Sequence, residues 1–150
     1  MASISQTAAN VVSVADDDNE FEYGTYGATV AAGKPVYFDE ADEKYKLCDC
    51  NSGTAAVRDF RGIALQSGSD GQPAKIQTGG TINLGATLAV GMFYVVSDTA
   101  GEIMPVTDLS SGEYPILIGG AITAANLKMA GPGNRTHSRL SGFKLGVAFA

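Results

Sequence analysis

Apolar and polar positions alternate along this chain in short bursts, and no stretch longer than about eight residues carries the three-and-four spacing of a helix stripe. Phe21 and Tyr23 alternate with Glu20 and Glu22, which predicts a half-buried strand. Residues 35–38 (Pro-Val-Tyr-Phe) predict a second, the polar loop 39–44 turns the chain, and Tyr45 and Leu47 return as its hairpin partner. A loop of small residues, 49–59, leads to a buried-looking strand at 60–65. The turn 67–71 follows, then a strand in which Ala74, Ile76 and Thr78 alternate with Lys75 and Gln77. After Gly79-Gly80 the pattern starts again. Ile82 and Leu84 alternate with Thr81 and Asn83, 92–96 is an apolar run of β-forming residues, and 98–101 is a hairpin loop with 102–106 as its return. The loop 107–113, a strand within 114–123 and another holding Leu127 and Met129 complete the series. Beyond the breaker Gly131-Pro-Gly-Asn134, a last strand is expected at 143–150.

The restart is visible in the residues themselves. Gly27-Ala-Thr-Val-Ala-Ala-Gly33 returns as Gly85-Ala-Thr-Leu-Ala-Val-Gly91, with five of the seven residues identical and two apolar swaps. Gly62-Ile-Ala-Leu65 returns as Gly119-Gly-Ala-Ile122 at nearly the same spacing, and again as Gly146-Val-Ala-Phe149. Two echoes in the same order read as duplication of one module. The expected fold is all-β, a compact sandwich or barrel built from two tandem copies of a short-strand module. One β domain is expected over 20–150, with repeats at about 20–77 and 78–130 and the closing strand at 143–150. Residues 1–19 precede it as an extended N-terminal arm. The arm is small and polar apart from Ile4, Val11, Val12 and Val14, and ends in the acidic run Asp16-Asp17-Asp18-Asn19-Glu20.

Composition narrows the function classes. The 150 residues are 45% hydrophobic, enough for one globular core. A net charge of −6 opposes binding to a phosphate backbone, so no nucleic-acid partner is expected. There is no run of about 18 apolar residues to form a membrane-spanning helix, and no basic start with an apolar core to act as a secretory signal.

Candidate chemistry is sparse. Cys48 and Cys50 alternate on one strand face, where they cannot easily bridge each other, and two reduced thiols are expected. A Cys-x-Cys pair can be half of a metal site, but no second pair exists and His137 is the only histidine. No metal or cofactor is expected. The acidic run reads as solvated; calcium is the sharper alternative, although the run lacks the glycine turn and distal glutamate of an EF-hand loop. His137 is the one base for a triad or an activated thiol, and it reads as an exposed loop histidine. A pair of acids could serve a glycosidase, but the chain has no Trp to form a sugar platform. The paired glycines at 79–80 and 119–120 lack the downstream Lys and helix of a phosphate cradle. Asn134-Arg-Thr136 fits a glycosylation acceptor, a motif common by chance. Arg135 and Arg139 form a basic spot near the end of an acidic chain, either solvated or a contact for an acidic neighbour.

The order of these phrases resembles that of a known family. Gly-Ala-Thr-Val-Ala-Ala-Gly-Lys-Pro-Val-Tyr at 27–37, Arg61-Gly-Ile-Ala-Leu65, Gly71-Gln-Pro-Ala-Lys-Ile-Gln-Thr-Gly-Gly80 and Gly85 to Gly91 with its tyrosine-bearing strand resemble the capsid decoration (cement) proteins of tailed bacteriophages. The resemblance covers about 24–123. It implies an all-β protein, often a homotrimer, made in the host cytoplasm and seated on the outer face of the virion capsid. There it binds the major capsid protein and ties its subunits together, with no enzymatic activity and no cofactor. Candidate capsid contacts are Ile4, Val11, Val12 and Val14 on the arm, expected to reach a neighbouring subunit, together with Arg135 and Arg139. The rival expectation is a β-rich tail or fibre module that binds a host receptor or glycan.

Overall fold

A computed structural model describes residues 3–130 of the chain. It is all-β: a curled antiparallel sheet forms a half-barrel, and the only helical pieces among the described residues are single 3-10 turns. The strands are β1 (Val12–Val14), β2 (Glu20–Thr25), β3 (Pro35–Asp39), β4 (Lys44–Leu47), β5 (Phe60–Ala64) and β6 (Pro73–Asn83). β7 (Phe93–Val96), β8 (Ile103–Pro105), β9 (Leu117–Ala121) and β10 (Asn126–Met129) follow. The sheet runs β4-β3-β5-β6-β10-β9-β7-β8, and β1 and β2 pair along the other edge of β6.

The long strand β6 joins the two halves. Its first part pairs with β2 and β5, and its second part with β1 and β10. The sequence pattern predicts a break at Gly79-Gly80; the strand instead runs through both glycines. Gly80 takes φ +93°, a left-handed conformation open to glycine at little cost. Asn19 fills the space beside it. Its Oδ1 accepts from the Thr81 amide (2.9 Å) and from Gln77 Nε2 (3.2 Å), and its Nδ2 donates to the Val14 carbonyl (2.8 Å). One side chain thus supplies the hydrogen bonds that the bend takes from the strand ladder.

Each half has the same strand order. In the first it is β2-β6-β5-β3-β4, and in the second β6-β10-β9-β7-β8. The β3–β5 register slips between Val36 and Tyr37, and the β7–β9 register slips at the corresponding place, between Tyr94 and Val95. The repeated seven-residue phrase ends in Gly33 and Gly91, with φ +95° and +87°. Their amides donate to the Ala64 and Ala121 carbonyls, at 2.8 and 2.9 Å.

Two apolar clusters fill the interior. Val36, Tyr45, Ala64, Ala74 and Ile76 close over Tyr26 and Val30 in the first half. The larger cluster gathers Ile82, Leu84, Tyr94, Ile103, Ile118 and Leu127 of the second half, and it also takes Ala32, Cys48, Phe60 and Ile63 of the first. The second half's core is therefore completed by residues of β5 and of the loops flanking β3 and β4 in the first half.

Two expectations change. Phe21 and Tyr23 face outward, 38% and 70% exposed, while Glu22 points the other way. Glu22 shares its face with Ile76, and its carboxylate is taken up at the rim by the Tyr45 hydroxyl (2.7 Å) and Arg61 (3.2 Å). A bulge between Glu20 and Phe21 sets this register. The N-terminal segment, in turn, lies on its own sheet: β1 pairs with β6, Val11 is buried, and Ile4 packs against the larger cluster. The expected strand at 143–150 lies outside the described residues.

Candidate contact surface

The two thiols and the Tyr26 phenol are held in their neutral forms by burial. Cys48 and Cys50 are both buried and free, and the Cys48 thiol donates to the Val57 carbonyl (3.1 Å). Burial pushes both thiols up, Cys50 to about 12, so neither supplies a thiolate at neutral pH. Burial likewise raises the Tyr26 phenol to about 12, and its hydroxyl donates to the Gln66 carbonyl at 2.6 Å.

Several charges are spent on each other. Lys34 meets Glu102 (2.8 Å), and Lys46 sits between Asp39 (2.8 Å) and Asp42 (2.9 Å). Lys128 spans Asp16 (2.6 Å) and Asp18 (2.9 Å) of the acidic run. The Lys128 bond, with a second from the Thr81 hydroxyl, holds the Asp16 carboxyl well below the usual carboxylate range. The acidic run is thereby tied to β10 and β6, where the sequence suggests solvated charge. Among the described residues no group of three or more His, Cys, Asp or Glu is placed to hold a metal ion.

Part of what the surface offers outward is apolar. Val90 in the turn before β7, Phe93 at the start of β7 and Ile122 just past β9 are 68%, 44% and 52% exposed. Phe93 lies opposite Gly120, where the missing side chain leaves room for the ring. The corresponding residues of the first half, Ala32, Pro35 and Leu65, are covered or half-covered. A second group stands on β2 and β6, where the Lys75 ammonium lies 5.2 Å from the Phe21 ring centre and 6.0 Å from that of Tyr23. A third is Tyr114, with the Arg58 guanidinium 3.8 Å from its ring centre. Single exposed apolar residues are ordinary, whereas contiguous apolar patches are what contact surfaces use.

The structure scatters the contact residues expected from the sequence. Val11 is buried, Ile4 and Val14 are half-buried, and Val12 alone of the four stands open, 55% exposed. Arg135 and Arg139 lie outside the described residues. Phe93 and Ile122 escape sequence reading because they fall in stretches that read as buried strands, and Val90 because it belongs to the repeated turn phrase; only the missing cover distinguishes them. An open groove beside the N-terminal segment is lined by neutral groups, among them Ser5, Thr7, Asn10, Asn83 and Thr87.

No family model matches the chain, and neither the curated proteins nor the solved structures contain a match to it.

Proposed function

We propose that the protein is a structural virion component that binds the outside of a tailed-phage capsid and stabilises contacts between major capsid protein subunits. The observation that carries this reading is the apolar display of Val90, Phe93 and Ile122 around the start of β7 and the end of β9, joined to the family resemblance of the glycine-turn phrases. The matching strand order and register slips of the two halves support a tandem duplication of one module. A clamp of this kind needs shape and multiplicity. Each bound copy shifts the shell toward its closed state by mass action, and an interface of roughly 1,200–2,000 Å² suffices for specific association. A homotrimer would multiply these contacts. Neither enzymatic activity nor a cofactor enters this reading.

Co-sedimentation with empty heads, followed by electron microscopy of heads with and without the protein, tests it. Added density on the outer surface, lost with Phe93→Asp, is the expected result; absence from mature virions would overturn it. Exposed Tyr23 and Tyr114, each beside a cation, favour one rival: a tail or fibre module that binds a receptor or glycan. Saturable binding on a glycan array, without head binding, would select that rival.

A further inference from the structure

The two halves close their seams differently. In the first, the chain leaving β2 pairs directly with β4: Tyr26 bridges Tyr45 in parallel, and the Gly27 amide donates to the Tyr45 carbonyl (2.8 Å). The repeat aligns Gly27 with Gly85 and Tyr45 with Ile103, so the same closure would join Gly85 to Ile103. That bond is absent. The Ile103 carbonyl accepts instead from the Ile4 amide (2.8 Å), and the Gly85 carbonyl accepts from the Thr7 amide (2.7 Å). The Gly85 amide turns to Asn83 Oδ1 (2.8 Å). Between these bonds Gln6 Nε2 donates to the Leu84 (3.0 Å) and Gly33 (2.8 Å) carbonyls, and Ser3 Oγ lies 3.1 Å from Ser97 Oγ. The space a Cβ would need at Gly85 is taken by the Thr7 carbonyl. The second half is thus a module whose seam is held open, and residues 3–7 fill the slot.

The filling is lightly held. Ser5 and Thr7 are exposed, Ile4 and Gln6 are only half-buried, and Gln6 Oε1 is enclosed with no hydrogen-bond partner. The next three residues, the 3-10 turn Ala8–Asn10, are all exposed, and the turn has no side-chain cap. A segment held by two main-chain bonds and by the side chains of Gln6 and Ser3, with a solvated connector behind it, belongs to the part of a fold that opens first. The slot's own chemistry is main-chain and shape, which is how an added strand is recognised.

We propose that this slot exchanges its occupant between copies: residues 3–7 of one molecule enter the seam of a second, which gives up its own. The second copy's segment is the occupant the slot fits, because it repeats every bond described above, with the 8–10 turn as hinge. Exchange within a crowded layer of copies would be favoured by local concentration over exchange in dilute solution. The inference does not depend on the capsid reading.

The test uses two single variants of the full chain, Ser3→Cys and Ser97→Cys, one of them carrying a size tag. They are mixed under mild oxidation without denaturant, where the buried Cys48 and Cys50 stay silent. The expected result is a covalent heterodimer whose yield rises with protein concentration and falls when a synthetic peptide of residues 1–11 is added in excess. A control mixture pairing Ser3→Cys with Ala41→Cys, on the exposed β3–β4 loop, sets the level of random collision. A yield no higher than that control, while the double variant Ser3→Cys/Ser97→Cys closes within one chain, would overturn the proposal. Since no heads are present, failure here leaves the capsid experiment untouched.

Discussion

Replacing Gly80 with Ala tests how the two halves are joined. An L-residue at φ +93° carries a backbone penalty of about 1–2 kcal/mol. The new Cβ would also lie 2.6 Å from Asn19 Cα, closer than real Cβ atoms approach, so Asn19 must withdraw. Withdrawal strains or breaks its bonds with Thr81, Gln77 and Val14. At roughly 1 kcal/mol net for each bond, losing two or three adds about 2–3 kcal/mol. The expected total is about 3–5 kcal/mol. Gly71→Ala is the matched reference: Gly71 has φ +91°, and a Cβ there meets nothing within 4 Å. It should lose only the backbone share, about 1–2 kcal/mol. Urea unfolding of the three proteins at neutral pH, with unchanged slopes, gives the comparison directly. Equal losses for Gly80→Ala and Gly71→Ala would refute the argument that Asn19 braces the crossing point.

Three further outcomes are expected. Glu43 is the one described non-glycine residue at positive φ (60°), where the aligned position in the second half is Gly101 at +79°; Glu43→Gly should raise stability by roughly 0.5–1 kcal/mol in urea melts, strain relief outweighing the added freedom of the unfolded chain. Val11→Ala removes two buried methyl groups and should cost about 1.5–2 kcal/mol by the same assay, whereas an arm waiting for a partner would show no loss. Asp16 has a lowered folded-state pKa, so its contribution is present above the unfolded carboxylate range, near pH 4, and is lost as the pH falls toward the folded value. The urea midpoint should therefore drop in acid, and Asp16→Asn should start lower at neutral pH and show a shallower acid decline.

Much of this fold is local and was therefore legible in the chain. Short runs of apolar, β-forming residues place β3, β5 and β7, and the ends of the repeated phrase, Gly33 and Gly91, take the left-handed turns that such endings serve. Cys48 and Cys50, read as a pair that cannot easily bridge each other, are both buried thiols. Tertiary structure decided the rest, because those choices turn on free energies between residues far apart in sequence. Gly79-Gly80 could break a strand or bend one, and Asn19, sixty residues upstream, makes it a bend by supplying the missing hydrogen bonds. The alternation at β2 cannot say which face is covered; Tyr45 and Arg61 made the charged face the inward one by neutralising Glu22. The apolar residues near the start read equally well as anchors for a neighbour or as cover for the chain's own core. Val11 is buried, and Val12 and Val14 lie on β1 against β6. For Ile4 an open seam between Gly85 and Ile103 decided the matter, since unpaired main-chain carbonyls beside an apolar cluster are costly until something donates to them.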